Sequence, residues 1–180
     1  KVDENARTTI NHLYAAGECT RTGLHGGNRL ASNSLLEAIV YAEAAAQHSL
    51  PLIDNINWCD EIPEWNDEGT TLNEEMVLIT QSEKEVNQIM QAYVGIVRSN
   101  LRLKRAFDRL ELIYKETESL FQRSVVSKEI CELRNIVNTA YLVIKSAMQR
   151  KESRGLHYTI DYPKKNEHIS LYDVEELKKI

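Results

Sequence analysis

The side chains best suited to chemistry lie in residues 23–37, where a glycine-rich loop leads into an apolar helix. The loop holds Gly23, Gly26 and Gly27, and a single arginine, Arg29, stands at its end. Glycine allows positive φ angles and lets the backbone approach a bound group closely. An arginine guanidinium matches the two oxygens of a carboxylate or a phosphate. The stretch is therefore predicted to bind an anion or an electron-rich ring.

The helix after this loop would present its N-terminus to such a ligand. Ser32 and Asn33 are good capping residues, so we expect the helix to begin near Ser34 and to end near Gln47. The first N–H groups of a helix lack intrahelical partners and lie at the positive end of its dipole, which favours an anion. A glycine-rich turn before a helix can also be only a turn. Neither a Gly-x-Gly-x-x-Gly fingerprint after a strand nor a Walker loop occurs here.

The composition is that of an ordinary soluble protein of 180 residues, with 42% hydrophobic and 27% charged residues. A net charge of −5 gives no electrostatic footprint for nucleic acid or for an anionic membrane. No apolar run approaches the roughly 20 residues of a membrane span. The polar start Lys1-Val2-Asp3-Glu4 indicates no signal peptide. We therefore expect a cytoplasmic protein with neither nucleic-acid nor membrane partners.

The cysteine and acidic patterns argue against disulfides and metal sites. Cys19, Cys59 and Cys131 are odd in number and widely spaced, so we interpret them as free thiols in a reducing compartment. The acidic residues between positions 54 and 68 lack the regular aspartate spacing of a calcium loop. No metal ligand is predicted.

The first part of the chain is predicted to contain short strands and one helix. Residues 8–10 and 13–16 include β-branched and aromatic types between breaks, which is typical of strands. Glu18 follows the second strand, where ligands gather in α/β sheets, although it can equally be a solvated loop carboxylate. Residues 51–81 are expected to form an irregular connector, with Trp58 and Trp65 pinning it to a surface.

From Ser82 onwards the apolar period becomes helical. Ser82 and Glu85 form a capping-box pattern, and Ser127 is predicted to cap a later helix. The predicted stripes are Val86, Met90, Tyr93 and Val97; Leu103, Phe107, Leu110, Tyr114, Thr117 and Phe121; and Ile130, Leu133, Val137, Ala140, Ile144 and Ala147. They predict an antiparallel three-helix bundle. The tail from residue 156 is expected to be extended, with a short helix near residues 174–179.

Two motifs carry a resemblance to a known family. Residues 13–19 followed by residues 23–37 closely resemble the C-terminal part of the FAD domain in the succinate dehydrogenase/fumarate reductase flavoprotein superfamily. Residues 150–158, followed by Asp161-Tyr162-Pro163, agree with the same superfamily. The resemblance implies a mixed fold: a short α/β remnant of an FAD-binding domain, an all-α antiparallel three-helix bundle and an extended C-terminal tail. The corresponding ranges are residues 1–50 for the remnant, 51–81 for a connector, 82–155 for the bundle and 156–180 for the tail.

The same resemblance implies an activity. Within the superfamily, the first motif is most similar to the branch that oxidises L-aspartate to iminoaspartate with FAD, using oxygen or fumarate as acceptor, in NAD biosynthesis. Quinolinate synthase is then the expected acceptor of the product. The flavoprotein subunit of succinate dehydrogenase or fumarate reductase is the first alternative, and a helical-bundle interaction module is the second. The match covers only the C-terminal portion of such enzymes, so their N-terminal FAD-binding half and capping domain are the expected domain partners. The chain alone is therefore expected to be inactive and not to retain FAD, and the proton-transfer residues are expected upstream.

Site roles also follow from the resemblance. Arg29 matches the arginine that binds a substrate carboxylate, and Glu18 matches a glutamate that hydrogen-bonds FAD. Ser34 and Leu35 match positions whose backbone N–H groups face the flavin ring.

Three further side chains of the motifs are interpreted as structural. His25 could orient substrate or transfer protons, but a structural hydrogen bond is the favoured interpretation. Arg154 and His157 are expected to tie the tail to the FAD domain and not to be catalytic.

Overall fold

The structure, a computed structural model, describes residues 1–57, 59, 61–72 and 76–166. Within these residues the chain is mostly helical, and it divides into two compact units, Lys1–Glu64 and Trp65–Ile180. The elements are α1 (Ala31–Ile53), α2 (Met76–Tyr93), β1 (Val97–Arg98), α3 (Asn100–Arg123), α4 (Lys128–Gln149) and β2 (Tyr158–Thr159). Trp58 and the helix predicted near residues 174–179 lie outside the described residues.

Residues 1–30 form turns, and the two strands predicted there are wrong. Only an isolated antiparallel bridge joins Arg7 to Tyr14. Ala6 and His12 have positive φ angles of 61° and 64°, which reverse the chain on either side of residues 8–10. The β-propensity of these residues reflects how well they fit a sheet, and it cannot supply the neighbouring strand that a ladder needs.

Helix α1 begins three residues before the predicted start and continues beyond the predicted end. Leu30 occupies the cap position without a side-chain hydrogen bond, so Ser32 and Asn33 lie in the first turn and do not cap it. The helix also runs through Pro51 to Ile53. Proline has a helix-compatible φ and costs a single backbone hydrogen bond, which is tolerated here in the last turn.

The apolar side of α1 is exposed within its unit. The exposed large side chains in the first half of the helix are Leu35, Leu36, Ile39 and Val40. Glu37 is the buried side chain of this helix. A buried carboxylate beside exposed leucines reverses the usual pattern and requires hydrogen-bond partners for the charge.

Helices α2, α3 and α4 pack on one another around a common apolar core. The packing is antiparallel: Arg134 near the start of α4 contacts Glu118 near the end of α3. Thr71, which precedes α2, bridges to Ser124 just after α3. All six residues of the stripe predicted on α4 are buried, which confirms that prediction.

The stripe predicted on α3 is confirmed in part. Leu103, Leu110 and Thr117 are buried, whereas the three aromatic residues of the stripe are only partly buried against the core. On α2, Val86 is buried as predicted, but Val97 lies in β1 and is exposed. The helix ends at Tyr93, and Gly95 follows it.

The helix starts show which caps form. Ser127 accepts a hydrogen bond from the backbone N–H of Ile130 at 3.4 Å, which confirms the predicted cap of α4. Ser99 does the same for α3, accepting from the N–H of Arg102 at 3.2 Å. The predicted capping box is wrong, because Ser82 and Glu85 lie inside α2.

The predicted extended tail is short where the structure describes it. Strand β2 pairs in parallel with β1, with Val97 opposite Tyr158. Strand β1 has two residues because α2 and α3 leave little chain between them, and β2 pairs along that short length. Turns occupy residues 160–162.

Trp65 is exposed, so the prediction that it pins the connector to a surface is wrong.

Candidate functional site

The guanidinium of Arg29 lies between two other residues that the sequence singles out. Its Nε donates a hydrogen bond to the Ser34 hydroxyl at 2.6 Å, and its Nη2 donates to Oε1 of Glu18 at 2.8 Å. All three residues belong to the first unit. Leu35 follows Ser34 on α1 with an exposed side chain. The structure thus brings Glu18, Arg29 and Ser34 together at the start of α1.

The local sequence explains this convergence. Gly17 has a φ of +86°, which a side chain would strain, and this turn comes directly before Glu18. Gly23 has a φ of +95° and turns the chain again before α1. Ser34 lies five residues after Arg29, in the first turn of the helix, where its hydroxyl can reach back to the loop. The two glycine turns therefore bring Glu18 and Arg29 to the same helix end.

The Arg29–Glu18 ion pair is exposed to water. The Arg29 side chain is 40% exposed and that of Glu18 is 83% exposed, so the pair is a weak contact. A guanidinium has five N–H donors, and these two contacts use Nε and one hydrogen of Nη2. The terminal nitrogens retain donors for the two oxygens of an anion. Arg29 can therefore donate hydrogen bonds to a carboxylate while it keeps its hydrogen bond to Ser34.

A second cluster holds the loop against the same helix. The buried carboxylate of Glu37 accepts the Thr22 hydroxyl on Oε1, and its Oε2 lies 2.8 Å from Nε2 of His25. The hydrogen bond from Thr22, followed by that from His25, lowers the pKa of Glu37 below its ordinary value. The carboxylate is therefore ionised at neutral pH, and Nε2 of His25 carries the donated proton.

This contact agrees with the structural interpretation of His25. Glu37 received no role from the sequence, although one signal was present. Glu37 is a charged residue flanked on both sides by apolar ones, Leu35-Leu36 and Ala38-Ile39. A charge within an apolar helix face indicates a buried partner.

The N-terminus of α1 offers different N–H groups from those predicted. A helix that begins at Ala31 has its unpaired donors at residues 30–33, so the N–H groups of Ser34 and Leu35 bond within the helix. The N–H of Asn33 donates to the Leu30 carbonyl at 3.0 Å. The N–H groups of Ala31 and Ser32 stay available, and no side chain caps this end. Such an end suits the electron-rich edge of a flavin, so the residues fit FAD.

The second sequence motif folds around a fully buried carboxylate in the second unit. Glu152 is 0% exposed, and its Oε1 accepts from Arg150 at 2.9 Å and from Arg154 at 3.0 Å. Its Oε2 accepts the backbone N–H of Asn166 at 2.9 Å. The hydrogen bond from Arg154 is the main cause of the lowered pKa of Glu152. Arg154 thus fastens the chain around residue 166, and its role toward an FAD domain stays a prediction.

His157 joins the two short strands to the bundle. Its Nδ1 accepts a hydrogen bond from Nη1 of Arg98 at 2.8 Å, and Nε of Arg98 donates to the carbonyls of Val94 and Gly95. Burial first, and the charge of Arg98 second, lower the pKa of His157. These contacts are the ones expected of a structural residue.

Within the described residues, no helix is both long and apolar enough to cross a membrane. The same part of the chain contains no cluster of three or more His, Cys, Asp or Glu side chains able to hold a metal. All three cysteines are free, and Cys19 and Cys59 are exposed.

Comparison with protein families gives two matches. The family described as fumarate reductase flavoprotein C-term matches residues 83–174, just over half of the chain. The family described as FAD binding domain matches residues 1–35, which include Glu18, Arg29 and Ser34.

Individual relatives give a consistent result. The chain is 44% identical to the L-aspartate oxidase of Vibrio cholerae and 47% identical to that of Pseudomonas aeruginosa, each over 162 residues. Each alignment covers 90% of this chain and 30% of the relative. A chloroplastic L-aspartate oxidase of Nicotiana tabacum is 45% identical over 172 residues, with 87% of this chain and 26% of the relative covered. The chain thus spans about 30% of the length of the curated relatives that it matches.

Solved structures of similar fold are also known. A Mycobacterium smegmatis Sdh1 complex in the apo form matches with a TM-score of 0.63 and 26% identity, covering 85% of this chain and 28% of that chain. A quinol–fumarate reductase with menaquinol molecules matches with a TM-score of 0.71 over 93% of this chain and 32% of that chain. The latter is 24% identical, so that likeness concerns the fold alone.

Proposed function

Because the chain belongs to the fumarate reductase flavoprotein C-terminal family, we propose that it acts as the C-terminal portion of an FAD-dependent L-aspartate oxidase. The identity of 44% and 47% to two such oxidases supports the choice of reaction, the oxidation of L-aspartate to iminoaspartate. In this proposal residues 1–50 belong to an FAD-binding domain and residues 156–180 form the tail. The bundle predicted at residues 82–155 begins with α2 at Met76, inside the connector predicted at residues 51–81.

The pose of Arg29 is the observation that carries the proposal. Ser34 holds the guanidinium at Nε, and Glu18 occupies one hydrogen of Nη2. A carboxylate of L-aspartate would bind the terminal nitrogens through two parallel hydrogen bonds. The exposed Glu18 can give up its hydrogen bond to Arg29 when substrate arrives. Such a clamp restricts the position of the reacting carbon and so lowers the entropic cost of reaction.

The proposed cofactor contacts lie next to this clamp. The N–H groups of Ala31 and Ser32, at the uncapped end of α1, would donate to the flavin ring. Ser34 and Leu35 keep their proposed place beside the ring, and Glu18 is proposed to reach an FAD hydroxyl once it leaves Arg29. FAD would supply the hydride acceptor for the reaction, with oxygen or fumarate receiving the electrons afterwards.

The proposal includes a compartment and a downstream partner. Free thiols are typical of reducing compartments, which agrees with a cytoplasmic enzyme. Iminoaspartate is an imine that water hydrolyses, so direct use by quinolinate synthase is the proposed fate of the product.

The test replaces Arg29 in the full-length oxidase and measures hydrogen peroxide release from L-aspartate. We expect Arg29→Leu to lower kcat/KM by about 100-fold or more, because the carboxylate loses its clamp. Arg21→Leu is the matched control, since Arg21 is an exposed arginine of the same segment. It should retain nearly all activity. Absence of L-aspartate-dependent peroxide from the unmodified enzyme would refute the proposed reaction, and full activity of Arg29→Leu would refute the assignment of the site.

A second candidate is the flavoprotein subunit of a succinate dehydrogenase or fumarate reductase. The 26% identity to the Sdh1 complex favours it, together with the matching family. Arg29 would then bind a carboxylate of succinate or fumarate. Succinate-dependent reduction of an artificial electron acceptor, without oxidation of L-aspartate, would support this candidate over the oxidase.

A further inference from the structure

We propose that Glu37 is a positioning residue for Arg29, acting through the loop of residues 22–29. This inference rests on the proposed function, since it concerns how the clamp for a dicarboxylate substrate is held in place. The hydrogen bond from Thr22 is the main cause of the lowered pKa of Glu37, and the nearby charge of Arg29 lowers that pKa further. No hydrogen bond joins Glu37 to Arg29 among the described residues. Glu37 holds the opposite end of the loop against the same helix.

Both oxygens of Glu37 are engaged by the loop. Oε1 accepts the Thr22 hydroxyl, and Oε2 lies 2.8 Å from Nε2 of His25. The Thr22 hydroxyl oxygen also accepts the backbone N–H of Leu24 at 3.1 Å. One carboxylate thus fixes residues 22–25, including the turn at Gly23. The whole Glu37 residue is 6% exposed, so water cannot readily replace these partners.

The loop is fastened to α1 at two points on one helix face. Ser34 and Glu37 are three residues apart, and residues at that spacing lie side by side on a helix. Ser34 accepts a hydrogen bond from Arg29, and Glu37 accepts hydrogen bonds from Thr22 and His25. A segment that contains three glycines would otherwise sample many conformations. The two contacts together define where the guanidinium stands relative to the N-terminus of α1.

The ionised form of Glu37 is required for this arrangement. A carboxylate can accept hydrogen bonds on both oxygens, and the lowered pKa of Glu37 keeps it charged at neutral pH. A glutamine has one accepting oxygen and an NH2 group, so one of the two contacts can persist only with the amide as donor and without the charge. Glu37→Gln keeps the size of the side chain and weakens both attachments, because a neutral amide replaces the charged acceptor, which makes it the appropriate probe.

The experiment compares Glu37→Gln with Glu43→Gln in the FAD-loaded full-length oxidase. Glu43 is an exposed glutamate of the same helix, whose carboxylate accepts a hydrogen bond from Gln47. We expect Glu37→Gln to raise the KM for L-aspartate by about tenfold with kcat changed less than about twofold, because binding through Arg29 weakens in ground and transition states alike. Calorimetric titration with succinate, a dicarboxylate without the amino group, should show the same weakening. Glu43→Gln should match the unmodified enzyme in both measurements.

A double-substitution cycle tests whether the effect passes through Arg29. The lysine amine of an Arg29→Lys variant cannot bind both oxygens of a carboxylate as a guanidinium does. In that background, Glu37→Gln should raise KM and the succinate dissociation constant by less than about twofold. If the effect stays tenfold there, or if Glu37→Gln behaves as Glu43→Gln does, the inference is wrong.

A milder substitution tests the inference if the Glu37→Gln variant does not fold. Should Glu37→Gln lose bound FAD, judged by its absorbance, Thr22→Val takes its place, since it removes one hydroxyl and keeps His25 on Glu37. An increase in KM and in the succinate dissociation constant supports the inference, and unchanged values overturn it. An unmodified enzyme without L-aspartate oxidation would instead mark the failure of the proposed function.

Discussion

Each of the two units contains an arginine–glutamate ion pair of similar length. The two pairs differ in burial and in the number of other partners. Nη2 of Arg29 lies 2.8 Å from Glu18, and Nε of Arg154 lies 3.0 Å from Glu152. Glu18 is 83% exposed at its side chain, whereas Glu152 is completely buried. Contact distance therefore gives no indication of what an ion pair does. Burial and the number of other partners decide that.

The buried pair is saturated, and the exposed pair is not. Glu152 receives two guanidinium groups and a backbone N–H, so it has no capacity for an incoming ligand. Removing one partner of such a group leaves an uncompensated buried charge. Glu18 receives Arg29 from an exposed position, where water can take over either partner. The first arrangement suits a fixed structural role, and the second suits a site that exchanges partners.

The largest predicted effect on stability comes from the buried pair. Glu152→Gln should lower the Tm of the chain by about 5 °C or more, because Arg150 and Arg154 lose their shared counter-charge. Thermal unfolding followed by circular dichroism measures it. Glu132→Gln is the matched control, since Glu132 is an exposed glutamate of the same unit beside Lys128. Equal Tm values for the two variants would show that the buried cluster contributes no special stability.

An intermediate effect is predicted from the pH dependence of His157. Burial and Arg98 hold its folded pKa below 6.5, so the unfolded chain binds more protons as the pH falls from that value. The contribution of His157 to stability is therefore complete above pH 6.5 and is lost as the pH falls through the folded pKa. The Tm of the chain should decrease between pH 7.5 and pH 5.5, and His157→Gln should show a smaller decrease. Arg150 and Glu152 also influence this ring. An identical decrease in both proteins would mean that other groups cause the pH dependence.

The smallest predicted effect comes from the exposed pair. Glu18→Gln should change the Tm by less than about 2 °C, because Arg29 keeps its hydrogen bond to Ser34 and water replaces the lost carboxylate. The same thermal scan measures it beside the Glu152→Gln variant. A decrease as large as that of Glu152→Gln would contradict the distinction between exchangeable and fixed ion pairs.

The sequence motif singles out Glu18, Arg29 and Ser34, and the structure brings them within hydrogen-bonding distance. Their roles toward substrate and FAD stay predictions. The start of α1 was placed too late, because Ser32 was expected to cap the helix and Leu30 occupies that position. That shift of three residues transfers the unpaired N–H groups to Ala31 and Ser32. The N–H groups of Ser34 and Leu35 bond within the helix, so residue type alone did not identify which N–H groups stay unpaired at this helix end.

By itself, the sequence determined the bundle helices, because helical period is a property of neighbouring residues. The stripe from Ile130 to Ala147 and the cap at Ser127 both follow from spacings of three or four positions. Only the tertiary structure decided which polar groups meet. Thr22 reaches Glu37 across 15 positions, and Arg98 reaches His157 across 59. Such contacts depend on the path of the chain between the partners, and no local pattern of residue types encodes that path.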